Sequence, residues 1–162
     1  MGAYGLDAAL AERIESLEGI DLIDTGGVGG TLAGNALSID ATRATLEHVL
    51  TEEAFDSMIA SATRYTAGVQ EAIDRAGVPW SVTQLGARAE YRFARPAPAS
   101  GGESAAAGDG ALEDYLHLFM ANRGVLITPF HNMALMCPDT TLADVDRHAQ
   151  LFGEAVAALV GA

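Results

Sequence analysis

Residues 26–38 read Gly-Gly-Val-Gly-Gly-Thr-Leu-Ala-Gly-Asn-Ala-Leu-Ser, a glycine-rich stretch with one hydroxyl just ahead of a helix-start signal. Glycines let backbone N–H groups approach a ligand with no Cβ in the way. A helix behind such a turn adds unpaired amide donors and the positive end of its dipole. The combination suits a phosphate or another small anion. By local features alone the run is equally a plain turn, and Thr31 an ordinary helix-start hydroxyl.

Two familiar phosphate templates do not fit. A Walker loop ends in Gly-Lys-Ser/Thr, whereas all nine basic residues of this chain are arginines. The dinucleotide fingerprint matches at Gly27 and Gly29 but meets Leu32 at its third glycine. The absence of lysine also means that no side chain here can form an imine with a carbonyl compound.

Other chemistry-bearing residues are scattered. His48, His117, His131 and His148 show no metal-ligand spacing, and Cys137 is the single cysteine, so no metal site is expected. There is no Gly-x-Ser-x-Gly elbow. His131 and Asn132 follow a short apolar stretch, where they either line a pocket or bond within their loop. Arg88 and Arg92 either hold a ligand carboxylate or pair with acidic neighbours. Glu12, Glu15 and Glu18 read as a solvated helix face.

The net charge of −13 repels nucleic acid and anionic membrane surfaces, so neither is an expected partner. An anion site here must be local, built from backbone and hydroxyls. No apolar run reaches membrane-spanning length, residues 1–10 lack a signal-peptide pattern, and a lone cysteine fits a reducing compartment. The expectation is a soluble cytoplasmic chain. Its 162 residues, 49% of them hydrophobic, suit one domain or part of a larger one.

The elements that must position these residues follow from caps and periodicity. Residues 1–5 read as the tail of a buried strand. Asp7 caps a helix bearing Leu10, Ile14 and Leu17, ended by Gly19, and residues 20–23 read as a brief extended stretch. Asn35 caps the helix behind the glycine run. Thr51 opens a longer one whose stripe is Phe55, Met58, Ile59, Ala62, Val69 and Ile73, stopped by Gly77 and Pro79. Residues 80–85 and 88–93 read as strands, with Ala89, Tyr91 and Phe93 alternating with Glu90 and Arg92. Residues 94–110 read as a flexible loop of Pro, Ala, Gly and Ser. Asp109 caps a helix ending at Gly124. Strands are expected at 125–127 and 133–136. Thr141 and Asp144 resemble a capping box opening a last helix with Val145, Phe152, Val156 and Leu159.

Gly30-Thr31-Leu32-Ala33-Gly34-Asn35-Ala36-Leu37 resembles the Gly-Thr-Leu-Ser-Gly-Asn-Pro-Leu signature of class III pyridoxal-phosphate-dependent aminotransferases, nearest the glutamate-1-semialdehyde 2,1-aminomutase-like branch. Gly2-Ala3-Tyr4-Gly5 resembles the strand after that family's lysine segment. Residues 41–46 resemble the helix after the signature. Gly124-Val125-Leu126-Ile127-Thr128-Pro129-Phe130 resembles a late strand and proline turn, and residues 141–146 the start of the closing helix. The resemblance spans nearly the whole chain, with Ala33 and Ala36 departing from the signature's Ser and Pro.

The resemblance implies an α/β fold of type I. Residues 1–50 would be the C-terminal end of the large cofactor domain, 51–79 a long connecting helix, and 80–162 a small α+β C-terminal domain. It implies pyridoxal 5'-phosphate as cofactor, a homodimer, and amino-group transfer between an amino acid or amine and a carbonyl compound. An aminomutase-type isomerase is the alternative within the family. Carried over by position, Thr31 contacts the cofactor phosphate of the other subunit and Gly30 supplies close backbone approach. The family's imine-forming lysine corresponds to no residue of this chain, so the chain alone is expected to be inactive and to hold no catalytic residue. A non-catalytic binding or dimerisation module is the reading from a different class.

Overall fold

The computed structural model describes residues 5–16, 34–128 and 131–161. The chain divides into two compact units, Met1–Leu50 and Thr51–Ala162.

In the first unit, α1 (Ala8–Glu15) starts where expected, with the Asp7 carboxylate accepting the Leu10 amide at 2.7 Å. Helix α2 (Ala36–His48) follows Gly34, whose φ of +68° is the left-handed conformation that glycine adopts without Cβ strain. Asn35 caps it, its side-chain oxygen accepting the Ser38 amide at 3.0 Å. Neither helix buries a residue. The expected strands at 1–5 and 20–23 and the Gly19 stop fall wholly or largely outside the described residues.

The second unit is built on two long helices. Helix α3 (Glu52–Ala76) has Thr51 as its N-cap and ends at Gly77, with φ +67°. Helix α6 (Leu142–Val160) opens on the expected capping box, with Thr141 and Asp144 each bonding the other's backbone amide. The two helices pack along each other, and Val69, Ile73, Phe152, Ala155 and Val156 lose all solvent exposure between them and the sheet. The apolar stripe of α3 is buried at Met58, Ala62, Val69 and Ile73. Phe55 and Ile59, on either side of Met58, stay exposed.

A three-stranded antiparallel sheet lies on this pair. Strands β1 (Ser81–Leu85) and β2 (Arg88–Arg92) form a hairpin turned at Gly86, and β3 (Met133–Leu135) pairs with the other edge of β2. The period-two pattern of β2 turns Ala89 and Tyr91 into the core, each 1% exposed, beside Trp80 and Leu116. Helix α5 (Gly110–Ala121) is capped by Asp109 and buries Leu116 and Met120.

Two sequence expectations are corrected. Residues 94–110 contain a short helix, α4 (Gly101–Ala106). The Ser100 hydroxyl accepts the Glu103 amide, and the Glu103 carboxylate accepts the Ala99 amide at 2.7 Å. This Ser-x-x-Glu arrangement satisfies helix-start donors despite the two glycines between. Residues 125–127 form no strand. The Val125 amide bonds back to the Met120 carbonyl at 3.0 Å, closing the turn after α5, and the segment places Ile127 inward and Leu126 in solvent.

The α3–α6 crossing depends on small residues. A Cβ added at Gly68 would stand 2.7 Å from the Ala149 Cβ, and one at Gly153 would stand 3.7 Å from the Ala72 Cβ. Gly68→Ala should therefore destabilise the chain by about 1–3 kcal/mol, although alanine is the better helix former by about 1 kcal/mol. Adding Ala149→Gly should restore much of the loss, as read by urea denaturation.

Candidate functional site

The edge of the glycine run that the structure describes is Gly34, Asn35 and the first turn of α2. Asn35 also donates its side-chain amide to the Ser38 hydroxyl at 2.9 Å. The cap fixes the start of α2 directly behind the run, so its unpaired amides and dipole stand at that end. Gly30 and Thr31, the expected cofactor contacts, lie outside the described residues.

The second unit holds a cleft of about 150 Å³ between residues 125–128, β3 and the start of α6. Tyr65 of α3 and His148 of α6 form part of its lining, with mostly apolar side chains such as Val125, Ile127 and Met133 around them. The Tyr65 hydroxyl and His148 Nε2 stand 3.4 Å apart, and the rings are 4.5 Å between centroids. His148 Nδ1 has no hydrogen-bond partner among the described residues. Burial pushes His148 down to about 4 and holds the Tyr65 phenol well above its ordinary range. Both groups are neutral at physiological pH. The cleft thus offers a neutral imidazole and hydroxyls to a ligand, with the Asp144 carboxylate, held ionised by its bonds to Thr141, as the one charged group in its lining.

The histidines are not brought together, and the described residues contain no cluster of His, Cys, Asp or Glu that could hold a metal. His131 is exposed. Asn132 is 1% exposed and structural: its backbone oxygen accepts the Tyr91 amide at 3.1 Å, and its side chain reaches Glu113. Arg88 and Arg92 both pair with Glu90. Glu12 and Glu15 are solvent-exposed, as expected. Cys137 is exposed, and the Thr140 hydroxyl beside it holds its thiol below the usual value. Sequence reasoning passed over the Tyr65–His148 pair, because the partners are far apart in sequence and nothing local links them.

No family model matches the chain. Among solved structures it is similar to two of a glutamate-1-semialdehyde-aminomutase from Pseudomonas aeruginosa PAO1. One, a lysine-to-alanine variant in complex with PMP, is 46% identical with a TM-score of 0.83, over 93% of this chain and 34% of that chain. The other is 45% identical with a TM-score of 0.85, over 96% of this chain and 35% of that one. An omega-transaminase from Sphaerobacter thermophilus shares the fold, with 24% identity, a TM-score of 0.65, and coverage of 79% and 29%. A glutamate-1-semialdehyde 2,1-aminomutase of Polynucleobacter asymbioticus is 27% identical over 100 residues, which is 62% of this chain and 23% of that protein.

The chain shares the mixed α/β fold of part of these fold type I proteins. It is similar to the glutamate-1-semialdehyde aminomutases among these proteins, and spans about 34% of the length of the one from Pseudomonas aeruginosa.

The buried imidazole sets a pH dependence. An unfolded histidine titrates near 6.5 and His148 near 4. Between those values the unfolded chain binds more protons, so stability falls as pH drops through the window and levels off below it. The loss from this group should be on the order of 3 kcal/mol. Urea midpoints measured across that window should show the slope, and His148→Gln should flatten it.

Proposed function

We propose that the chain is the C-terminal portion of a class III pyridoxal-phosphate-dependent aminotransferase and supplies one edge of its cofactor site. The observation that carries this reading is the 46% identity over 93% of the chain to an aminomutase in complex with PMP. In this reading residues 1–50 close the large cofactor domain and 80–162 form the small domain, with the helix within 51–79 joining them. The enzyme is a cytoplasmic homodimer. Thr31 donates its hydroxyl to the cofactor phosphate of the opposite subunit, and Gly30 admits the phosphate close to the backbone.

The described residues fit a phosphate at this place. Helix α2 starts directly behind the glycine run with its N-terminus capped, and Gly34 takes a left-handed turn into it. The cofactor, when bound, supplies the electron sink for exchanging an amino group between an amino acid or amine and a carbonyl compound. This chain's own part is to hold the phosphate and so to orient the ring. The lysine that binds the cofactor covalently belongs to another segment of the enzyme, since the chain contains only arginine as a basic residue.

An aminomutase, which moves the amino group within one molecule, is the second reading, favoured by the names of the similar proteins. A free-standing binding module is less well supported. Leu37 and Leu46 are 81% and 60% exposed on opposite sides of α2, apolar surface that a larger body would cover.

In the complete enzyme Thr31→Ala should weaken cofactor retention by about 1.5–3 kcal/mol, the worth of one hydrogen bond to a charged group. Equilibrium dialysis of pyridoxal phosphate reads this, and unchanged affinity would remove Thr31 from the site. The 162-residue chain alone, given pyridoxal phosphate, should show no amino transfer above the free cofactor; turnover above that background would overturn the assignment of the lysine to another segment.

A further inference from the structure

The outer face of the β1–β2 hairpin holds a second cleft, larger and more polar than that at His148. It measures about 330 Å³ and lies between the hairpin and the start of α4. Its floor follows from strand geometry. With Ala89 and Tyr91 turned into the core, Arg88, Glu90 and Arg92 share the opposite face. Thr83 stands directly across from Glu90 in the antiparallel register and joins them. Ser100 and Ser104 are on the opposing wall.

The charges in this cleft do not balance. Arg88 and Arg92 reach the same carboxylate, at 3.2 and 2.7 Å, and Glu90 is 12% exposed between them. No other charged residue lines the cleft. Glu103 on α4 keeps its charge, but it does not line the cleft and its carboxylate is engaged by the Ala99 amide. Two guanidiniums against one carboxylate leave one positive charge, inside a chain whose net charge is −13. Each guanidinium carries five N–H donors in a planar fork. Neither makes another hydrogen bond or ion pair among the described residues beyond those to Glu90. The Ser100 hydroxyl accepts the Glu103 amide, which leaves its own proton to donate into the cleft.

We propose that this cleft is a binding site for the carboxylate group of a small organic acid, held by Arg88 and Arg92 with the serine and threonine hydroxyls as further donors. The forked donors match a carboxylate's two oxygens. A carboxylate carries a single charge and neutralises the one that is spare. Inorganic phosphate is a mixture of monoanion and dianion at neutral pH, and its dianion carries a second charge that meets the fixed charge of Glu90, whose repulsion is poorly screened where it is shielded from solvent. The site is separate from the cofactor reading and does not rest on it.

The test is an NMR titration of the nitrogen-15-labelled 162-residue chain, following the arginine Nε–H signals. Butyrate should shift the Arg88 and Arg92 signals saturably, with a dissociation constant on the order of 10 mM. Phosphate should bind more weakly. Arg92→Gln should weaken butyrate binding about tenfold, and Arg88→Gln, at a more exposed position, carries the same comparison should the first variant not fold. Glu90→Gln should tighten it, because the competing carboxylate is gone. The absence of saturable shifts, tighter binding of phosphate than of butyrate, a Gln variant binding as the parent does, or no gain from Glu90→Gln would each overturn the assignment.

Discussion

The close crossing of α3 and α6 is the constraint on which the second unit depends. Gly68 against Ala149, where a Cβ would stand only 2.7 Å from its neighbour, lets the two helix backbones approach. Only at that separation can Val69, Ile73, Phe152 and Val156 fill one continuous core and receive Ala89 and Tyr91 from the sheet. The bidentate Arg64–Asp146 pair between the same helices is solvent-exposed and contributes far less than the apolar contact beneath it. The Tyr65–His148 pair is a product of the same approach. His148 stands one turn before Phe152 on α6, stacks against it at 6.1 Å, and meets Tyr65 across the interface.

Strand β2 links that core to the molecule's charged surface. Its inward residues are held by the helices, so its outward residues have no freedom over which face they present. A one-residue slip of register would bury Glu90 and the arginines and expose Tyr91. The Arg88–Glu90–Arg92 row is therefore positioned by apolar packing on the far side of the same strand, and the polar cleft inherits the rigidity of the core.

The first unit has a different balance. Its helices are defined at their starts by Asp7 and Asn35, local side-chain bonds that need no tertiary partner. Their apolar residues are left in solvent, with Leu37, Ile39, Leu46 and Val49 exposed on or just after α2. Caps decide where a helix begins, but burial supplies most of its stability in a protein. Helices so exposed need a larger body to hold them still, and the chain spans about 34% of the similar aminomutase.

Much of this was legible in the sequence, and for local reasons. The caps Asp7, Asn35, Thr51, Asp109 and Thr141 bond within three or four residues of themselves, and Gly77 ends its helix through its own backbone. The alternation along β2 and the family signature at 30–37 are likewise properties of contiguous residues. Helix α4 was missed because glycine and serine composition outweighed one Ser-x-x-Glu pattern, and 125–127 because a short apolar run does not say whether it pairs in a sheet or only packs inward. Pairings across long sequence separations were decided by the tertiary structure alone: Tyr65 with His148, Arg64 with Asp146, and the hairpin face with the start of α4. Sequence determined where the elements begin, which faces are apolar, and that no lysine is present. The fold decided which distant side chains share a space, because that depends on how closely two helices approach and which strand takes each edge of β2.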